Sequence, residues 1–228
     1  MDVTEYPLPA ALRGRLIVSC QAPPDDPLDD TGTLARLAVS ALRGGAAGLR
    51  ANGAEAIHVF RQKTDLPILG ILKRYQHGEM CITPDFTSAQ AISDAGSDVI
   101  ALDCTIARPS FAEPWPTLIT RIHRELRKPV LADIATFDEA VAAAQAGADA
   151  VATTLRGFTP QTASVHSVDW PLLDRLVQSL SVPVIVEGHI ALPEEVRRAI
   201  DAGAFSVVVG SAITRPESIT ARFVKALL

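Results

Sequence analysis

A lysine and a glutamate that each close an apolar run are the first candidates for chemistry in this sequence. Lys73 follows Ile68-Leu69-Gly70-Ile71-Leu72, and Glu187 follows Val182-Pro183-Val184-Ile185-Val186. Other apolar runs finish in the same way, at Gln21, Arg50-Ala51-Asn52, Asp103, Asp133, Thr153-Thr154 and Gly210-Ser211. A purely structural sheet has no need of a polar residue behind every run. Lys73 admits three roles: ligand for a phosphate or carboxylate, base for proton transfer, or Schiff-base nucleophile. The last two need a pKa lowered by burial or by a cation such as Arg50, and Glu187 would act in the opposite direction. Gly188 and Gly210-Ser211 form a second group, because glycine lets backbone N–H groups approach an anion closely. Arg215 would add charge there, and ordinary turn chemistry is the alternative. Asp103 and Asp133 also read as loop caps, Thr153 and Thr154 as strand formers, and Arg50 and Arg74 as solvated surface charges.

The elements that must hold these residues repeat along the chain. A small residue, Gly and a second small residue precede an apolar run at Gly44-Gly45-Ala46, Ala95-Gly96-Ser97, Ala146-Gly147-Ala148 and Ala202-Gly203-Ala204. Each marks a helix ending in a left-handed cap and a buried strand starting. Leu66-Pro67, Lys128-Pro129 and Val182-Pro183 open alternate strands, where proline removes no ladder bond. With residues 15–21 this makes eight strands. Thr136 and Glu139 form a capping box; Asp169 before Trp170-Pro171, and Pro193-Glu194-Glu195, start further helices. Strands without polar alternation are those of a parallel sheet covered on both faces. Eight strands alternating with helices within one domain of residues 1–228 predict an α/β fold, a (β/α)8 TIM barrel with its site at the C-terminal strand ends. The competing open sheet lacks a G-x-G-x-x-G turn. Longer loops are expected around Pro23-Pro24-Asp25-Asp26-Pro27, over 106–116 and over 157–168.

Composition narrows the function. The 228 residues carry a net charge of −5, so no broad positive field is available for nucleic acid. No apolar run is long enough for a membrane span, and the start from Met1 has no signal-peptide pattern. Three scattered cysteines without a C-x-x-C, and five histidines without metal-ligand spacing, point to reduced thiols in the cytoplasm and no metal.

Taken together, the segments resemble the N-acetylmannosamine-6-phosphate 2-epimerase family of bacterial sialic-acid catabolism. The matching stretches are 44–52 (GGAAGLRAN), 70–74 (GILKR), 82–85 (ITPD), 99–105 (VIALDCT), 130–143 (VLADIATFDEAVAA), 147–155 (GADAVATTL), 184–190 (VIVEGHI) and 207–216 (VVVGSAITRP). The resemblance implies a catalytic pair at Lys73 and Glu187 and substrate contacts at Gln21, Arg50 and Asp133. It implies phosphate ligands at Gly188, Gly210, Ser211 and Arg215. It further implies a sugar-phosphate substrate, no cofactor and a homodimer. His189 departs from the Lys or Arg usual after the Glu-Gly pair, Phe158 from a common tyrosine, and Tyr75-Gln76-His77-Gly78 from an acid-bearing loop. A Schiff-base aldolase and a non-catalytic sugar-phosphate-binding barrel are the competing readings.

Overall fold

The strands expected from the repeat are present, joined by two that were not expected. The computed structural model describes residues 6–227; part of the start from Met1 lies outside them. Among the described residues the strands are β1 (Leu16–Cys20), β2 (Gly48–Asn52), β3 (Ile68–Ile71), β4 (Lys73–Gln76), β5 (Glu79–Ile82), β6 (Val99–Asp103), β7 (Val130–Asp133), β8 (Ala150–Ala152), β9 (Val184–Glu187) and β10 (Ser206–Val209). Eight of them close a barrel in the order β1-β10-β9-β8-β7-β6-β3-β2. All eight pairings are parallel, and β1 bonds to both β2 and β10, so the open-sheet alternative does not hold. Around the barrel run α1 (Thr31–Arg43), α2 (Ala54–Arg61), α3 (Phe86–Asp94), α4 (Trp115–Arg121), α5 (Phe137–Gln145), α6 (Trp170–Ser179) and α7 (Pro193–Asp201). The short α8 (Ser211–Thr214) and α9 (Pro216–Lys225) complete the chain.

Local chemistry sets the boundaries. Gly45, Gly96, Gly147 and Gly203, one from each repeat, have φ between 98° and 109°, where a Cβ is strained. At α5 the Thr136 side chain accepts from the Glu139 amide, and the Glu139 side chain returns the bond. Asp169 caps α6, and Pro193 occupies the first turn of α7, where its missing N–H costs nothing.

Side chains along each strand divide by parity. Ile17, Leu69, Val99, Ala101, Leu131, Ala150, Ala152, Ile185 and Val208 form one buried cluster, filling the barrel. Val18, Leu49, Ile68, Ile100, Ala132, Val151, Val186 and Val207 form another, against the helices. This two-sided burial is why the strands read as unbroken apolar runs. Continuing the inward parity by two residues reaches Ser19 and Gln21, Arg50, Lys73, Asp103, Asp133, Thr154, Glu187 and Gly210. The polar ends are therefore the top layer of the barrel interior.

Lys73 opens the unexpected pair. β3 ends at Ile71, and β4 and β5 form an antiparallel hairpin above the barrel. His77 and Gly78 both have positive φ, 53° and 82°, the requirement of a two-residue type I′ turn. Histidine in place of the usual Asn or Asp leaves only the glycine as a sequence signal.

The tightest glycine of the barrel is Gly70 in β3. A Cβ there would overlap Ser97 Oγ, and Ser97 is fully buried and donates to the Ile92 carbonyl at 2.6 Å. Gly70→Ala is expected to destabilise the fold by about 1–3 kcal/mol, read as a lower urea midpoint. A midpoint equal to that of the unmodified protein would mean that Ser97 yields freely.

Candidate functional site

A cavity of about 550 Å³ opens at the C-terminal ends of the strands. Of the residues expected at the site, Gln21, Arg50, Lys73, Glu187, Gly188, Gly210, Ser211 and Arg215 line it. Asp133 does not: its side chain is fully buried behind Arg50.

The centre of the site is a buried charge cluster. Arg50, also fully buried, leaves β2 and meets acceptors from three other strand ends. Its Nη2 donates to Asp133 Oδ2 at 2.6 Å, and its Nη1 to Asp133 Oδ1 at 3.1 Å and Thr154 Oγ1 at 3.2 Å. Nη1 also donates to Glu187 Oε2. The Thr154 hydroxyl donates in turn to Asp133 Oδ1 at 2.5 Å. The reading of Arg50 as a solvated surface charge is therefore wrong, and that of Asp133 as a loop cap gives way to an ion pair. One guanidinium serves two carboxylates, so the cluster holds more negative than positive charge. Burial pushes the Glu187 carboxyl up from its ordinary range; Arg50 opposes the shift and Asp133 adds to it. Thr153 fixes the backbone of Glu187, its hydroxyl accepting from the Glu187 amide at 3.1 Å and donating to the Glu187 carbonyl at 2.8 Å.

Lys73 enters the cavity from the start of β4. Its amide donates to Asn52 Oδ1 at 2.8 Å, which ties it to the end of β2. Among the described residues its ammonium makes no ion pair: Glu187 pairs with Arg50 instead of Lys73. Burial pulls the Lys73 pKa down and the Arg50 charge adds to that, against a weaker upward pull from Glu187 and Asp133. A lysine so placed is a stronger candidate for a neutral base than a surface lysine.

The second group gathers at the other side of the mouth. Gly188, with φ at 98°, and His189, at 60°, turn the chain away from β9. Gly210 precedes α8, whose first N–H groups have no intrahelical acceptor. Arg215 pairs through Nη2 with Asp26 Oδ2 at 2.7 Å. Phe158, in the loop after β8, stacks on His189 with ring centroids 5.2 Å apart.

Several participants had roles that sequence reading left open. Thr154 stands among the polar strand ends with strand former as its alternative reading, and its position two residues past Ala152 puts it on the inward face. Asp26 looked like loop polarity, because its partner lies 189 residues away. Asp103 is indeed a loop cap: its Oδ1 accepts from the Thr105 amide at 2.8 Å and hydroxyl at 2.7 Å. Cys20, Cys81 and Cys104 are buried and unpaired. Burial pushes the Cys20 and Cys81 thiols up to about 12, which leaves no thiolate nucleophile at neutral pH. Among the described residues no cluster of three or more His, Cys, Asp or Glu has a metal-binding arrangement, and no helix is long and apolar enough to cross a membrane.

A closed parallel barrel with lysine, arginine and carboxylate side chains converging at the strand C-termini defines a (β/α)8-barrel enzyme. Residues 34–228 match the NanE family model, described as "Putative N-acetylmannosamine-6-phosphate epimerase". The chain belongs to this family. Proteins named "Putative N-acetylmannosamine-6-phosphate 2-epimerase" match it from Clostridium perfringens (strain SM101 / Type A), at 44% identity over 93% of this chain and 96% of the relative, and from Thermosynechococcus vestitus, at 45% over 96% of each. A solved structure of the N-acetylmannosamine-6-phosphate 2-epimerase from Clostridium perfringens superposes with a TM-score of 0.90 at 41% identity, covering 95% of this chain and 94% of that one. A thiamine phosphate pyrophosphorylase from Pyrococcus furiosus, at 18% identity and a TM-score of 0.62, shares the fold alone, over 96% of this chain and 100% of that one.

The lowered pKa of Lys73 has a consequence for stability. The unfolded chain binds the lysine proton up to about pH 10.5, whereas the folded chain releases it earlier. Between the two values the unfolded state holds more protons, so the lysine contribution to stability rises with pH. Lys73→Met is therefore expected to raise stability at neutral pH, with the gain shrinking towards pH 10.5. Urea titrations of both proteins across that range measure the difference, and a gain independent of pH would contradict the shift.

Proposed function

We propose that this chain interconverts N-acetylmannosamine 6-phosphate and N-acetylglucosamine 6-phosphate by removing and returning the proton on C2. The observation that carries the reading is the convergence of Lys73 and Glu187 on one cavity that also reaches Gly188, Gly210, Ser211 and Arg215. The C2 proton of an N-acetylhexosamine becomes acidic only beside a free aldehyde, so the ring opens first. Lys73 in its neutral form takes that proton. Glu187 gives a proton to the carbonyl oxygen as the enolate forms, and moves one on the ring oxygen during opening. Its raised proton affinity suits both steps. Arg50 orients Glu187, and Asp133, with both oxygens engaged, orients Arg50 in place of touching the sugar. Gln21 Oε1 is buried without a partner among the described residues, and serves as an acceptor for a sugar hydroxyl.

Return of the proton to the opposite face of C2 gives the epimer. Substrate and product have the same oxidation state, so the reaction calls for no cofactor. Backbone N–H groups at Gly188, Gly210 and Ser211, with the Arg215 charge, take the phosphate. The same reading places the chain in the cytoplasm and in sialic-acid catabolism, as a homodimer. Buried, unpaired cysteines are consistent with the first, and the exposed Phe223 and Val224 of α9 with the last.

Proton NMR with N-acetylmannosamine 6-phosphate in heavy water tests the reading, the expected result being the epimer with deuterium at C2. Lys73→Ala is expected to lose roughly 10²–10⁴-fold in turnover while remaining folded. Glu187→Gln should bind substrate almost normally yet slow both turnover and C2 exchange, since an amide cannot exchange the proton. Wild-type turnover in either variant would remove that residue from the mechanism. Unphosphorylated N-acetylmannosamine should be a poor substrate, because phosphate binding also helps to position C2.

A further inference from the structure

The proline-rich segment after β1 has no part in the chemistry above, yet it reaches Arg215. Asp26 sits within Pro23-Pro24-Asp25-Asp26-Pro27, and its side chain is only 5% exposed. Both carboxylate oxygens are engaged: Oδ1 accepts from the Leu28 amide at 2.8 Å and Oδ2 from Arg215 Nη2 at 2.7 Å. The backbone around it is fixed as well, the Asp26 amide donating to the Pro23 carbonyl at 3.2 Å and the Asp29 amide to the Asp26 carbonyl at 2.8 Å. Three prolines restrict the rest of the loop. Asp26 is thus a rigid anchor, outside the cavity, for an arginine that lines it.

Arg215 keeps donor capacity beyond the Asp26 contact. A guanidinium has five N–H donors, and Asp26 engages Nη2 alone. Nε is buried and has no partner, and Nη1 makes no hydrogen bond among the described residues. A carboxylate beside a phosphate ligand has two opposing effects. It offsets part of the arginine charge, which weakens anion binding. It also holds a long, rotamer-rich side chain in place before the anion arrives, which removes an ordering cost. Asp26 does not line the cavity, so its repulsion acts from behind the guanidinium, while the ordering gain is complete. Positioning by Asp26 requires the second effect to outweigh the first.

We propose that Asp26 is a positioning residue for the phosphate end of the substrate, holding Arg215 by Nη2 so that Nη1 is presented to the phosphoryl oxygens. This rests on the reading of Arg215 as a phosphate ligand.

The experiment compares Asp26→Asn, Asp26→Glu, Arg215→Ala and the Asp26→Asn/Arg215→Ala double variant. The readouts are the ratio of kcat/KM for N-acetylmannosamine 6-phosphate to that for the free sugar, and inhibition by inorganic phosphate. Asp26→Asn is expected to lower the ratio, and to raise the inhibition constant of phosphate, by roughly 2- to 12-fold, the ordering cost of one long side chain. Asp26→Glu should fall between it and the unmodified protein. The double variant should behave as Arg215→Ala does, because the two residues act through one contact. An unchanged ratio in Asp26→Asn, tighter phosphate binding, or additive effects in the double variant would overturn the proposal. Loss of the circular dichroism of the fold in both Asp26 variants would make Asp26 a stabilising residue of the loop, and would overturn it too. An unchanged ratio in Arg215→Ala would instead refute the phosphate reading of Arg215, and with it the basis of the proposal.

Discussion

A guanidinium buried without exposure to water costs several kcal/mol in lost hydration unless its charge and donors are matched. Arg50 meets most of that demand through Asp133, Thr154 and Glu187, contributed by the ends of three strands on the far side of the barrel from β2, and only its Nε is left without a partner among the described residues. The cluster therefore ties opposite walls of the barrel together through its interior. It also acts on the two groups proposed to move protons, Lys73 and Glu187. Glu187 shares its cation with a second, better-buried carboxylate, so its own proton is held more tightly. Lys73, left without a carboxylate of its own, feels the arginine charge as repulsion. Burial is the main cause of both shifts; within the cluster Asp133 adds to the upward shift of Glu187 against the pull of Arg50, and Arg50 adds to the downward shift of Lys73. Both shifts run in the direction that the proposed acid and base require.

Fold and site were readable to different depths. The four small-Gly-small phrases located the strands because each glycine occupies a backbone conformation that other residues resist, a local requirement. The polar strand ends followed because alternate residues share a face, and the inward face turns from apolar to polar at one level. Lys73 and Glu187 were legible on those grounds. The hairpin of β4 and β5 was not, since its turn is carried by His77-Gly78, a weak form of the signal. The partners of the charged groups were not legible either. That Glu187 pairs with Arg50 instead of Lys73, or Arg215 with Asp26, depends on closing the barrel, which joins positions 137 and 189 residues apart. Asp133 is a polar strand end in the sequence, but its depth behind Arg50, fully buried in an ion pair, is a tertiary fact.

The short strand β2 carries both Arg50 and Asn52, two residues apart and so on the same face. Burial lowers the Lys73 pKa and the Arg50 charge adds to that, while Asn52 holds the Lys73 backbone amide. Lys73 itself belongs to a hairpin outside the barrel ladder, an arrangement that would otherwise let it wander relative to the strands. Because both ties start from the same five residues, a shift of β2 would carry the tuning charge and the Lys73 backbone together. The register of one strand thus fixes both the charge that acts on the amine and the backbone from which the amine extends.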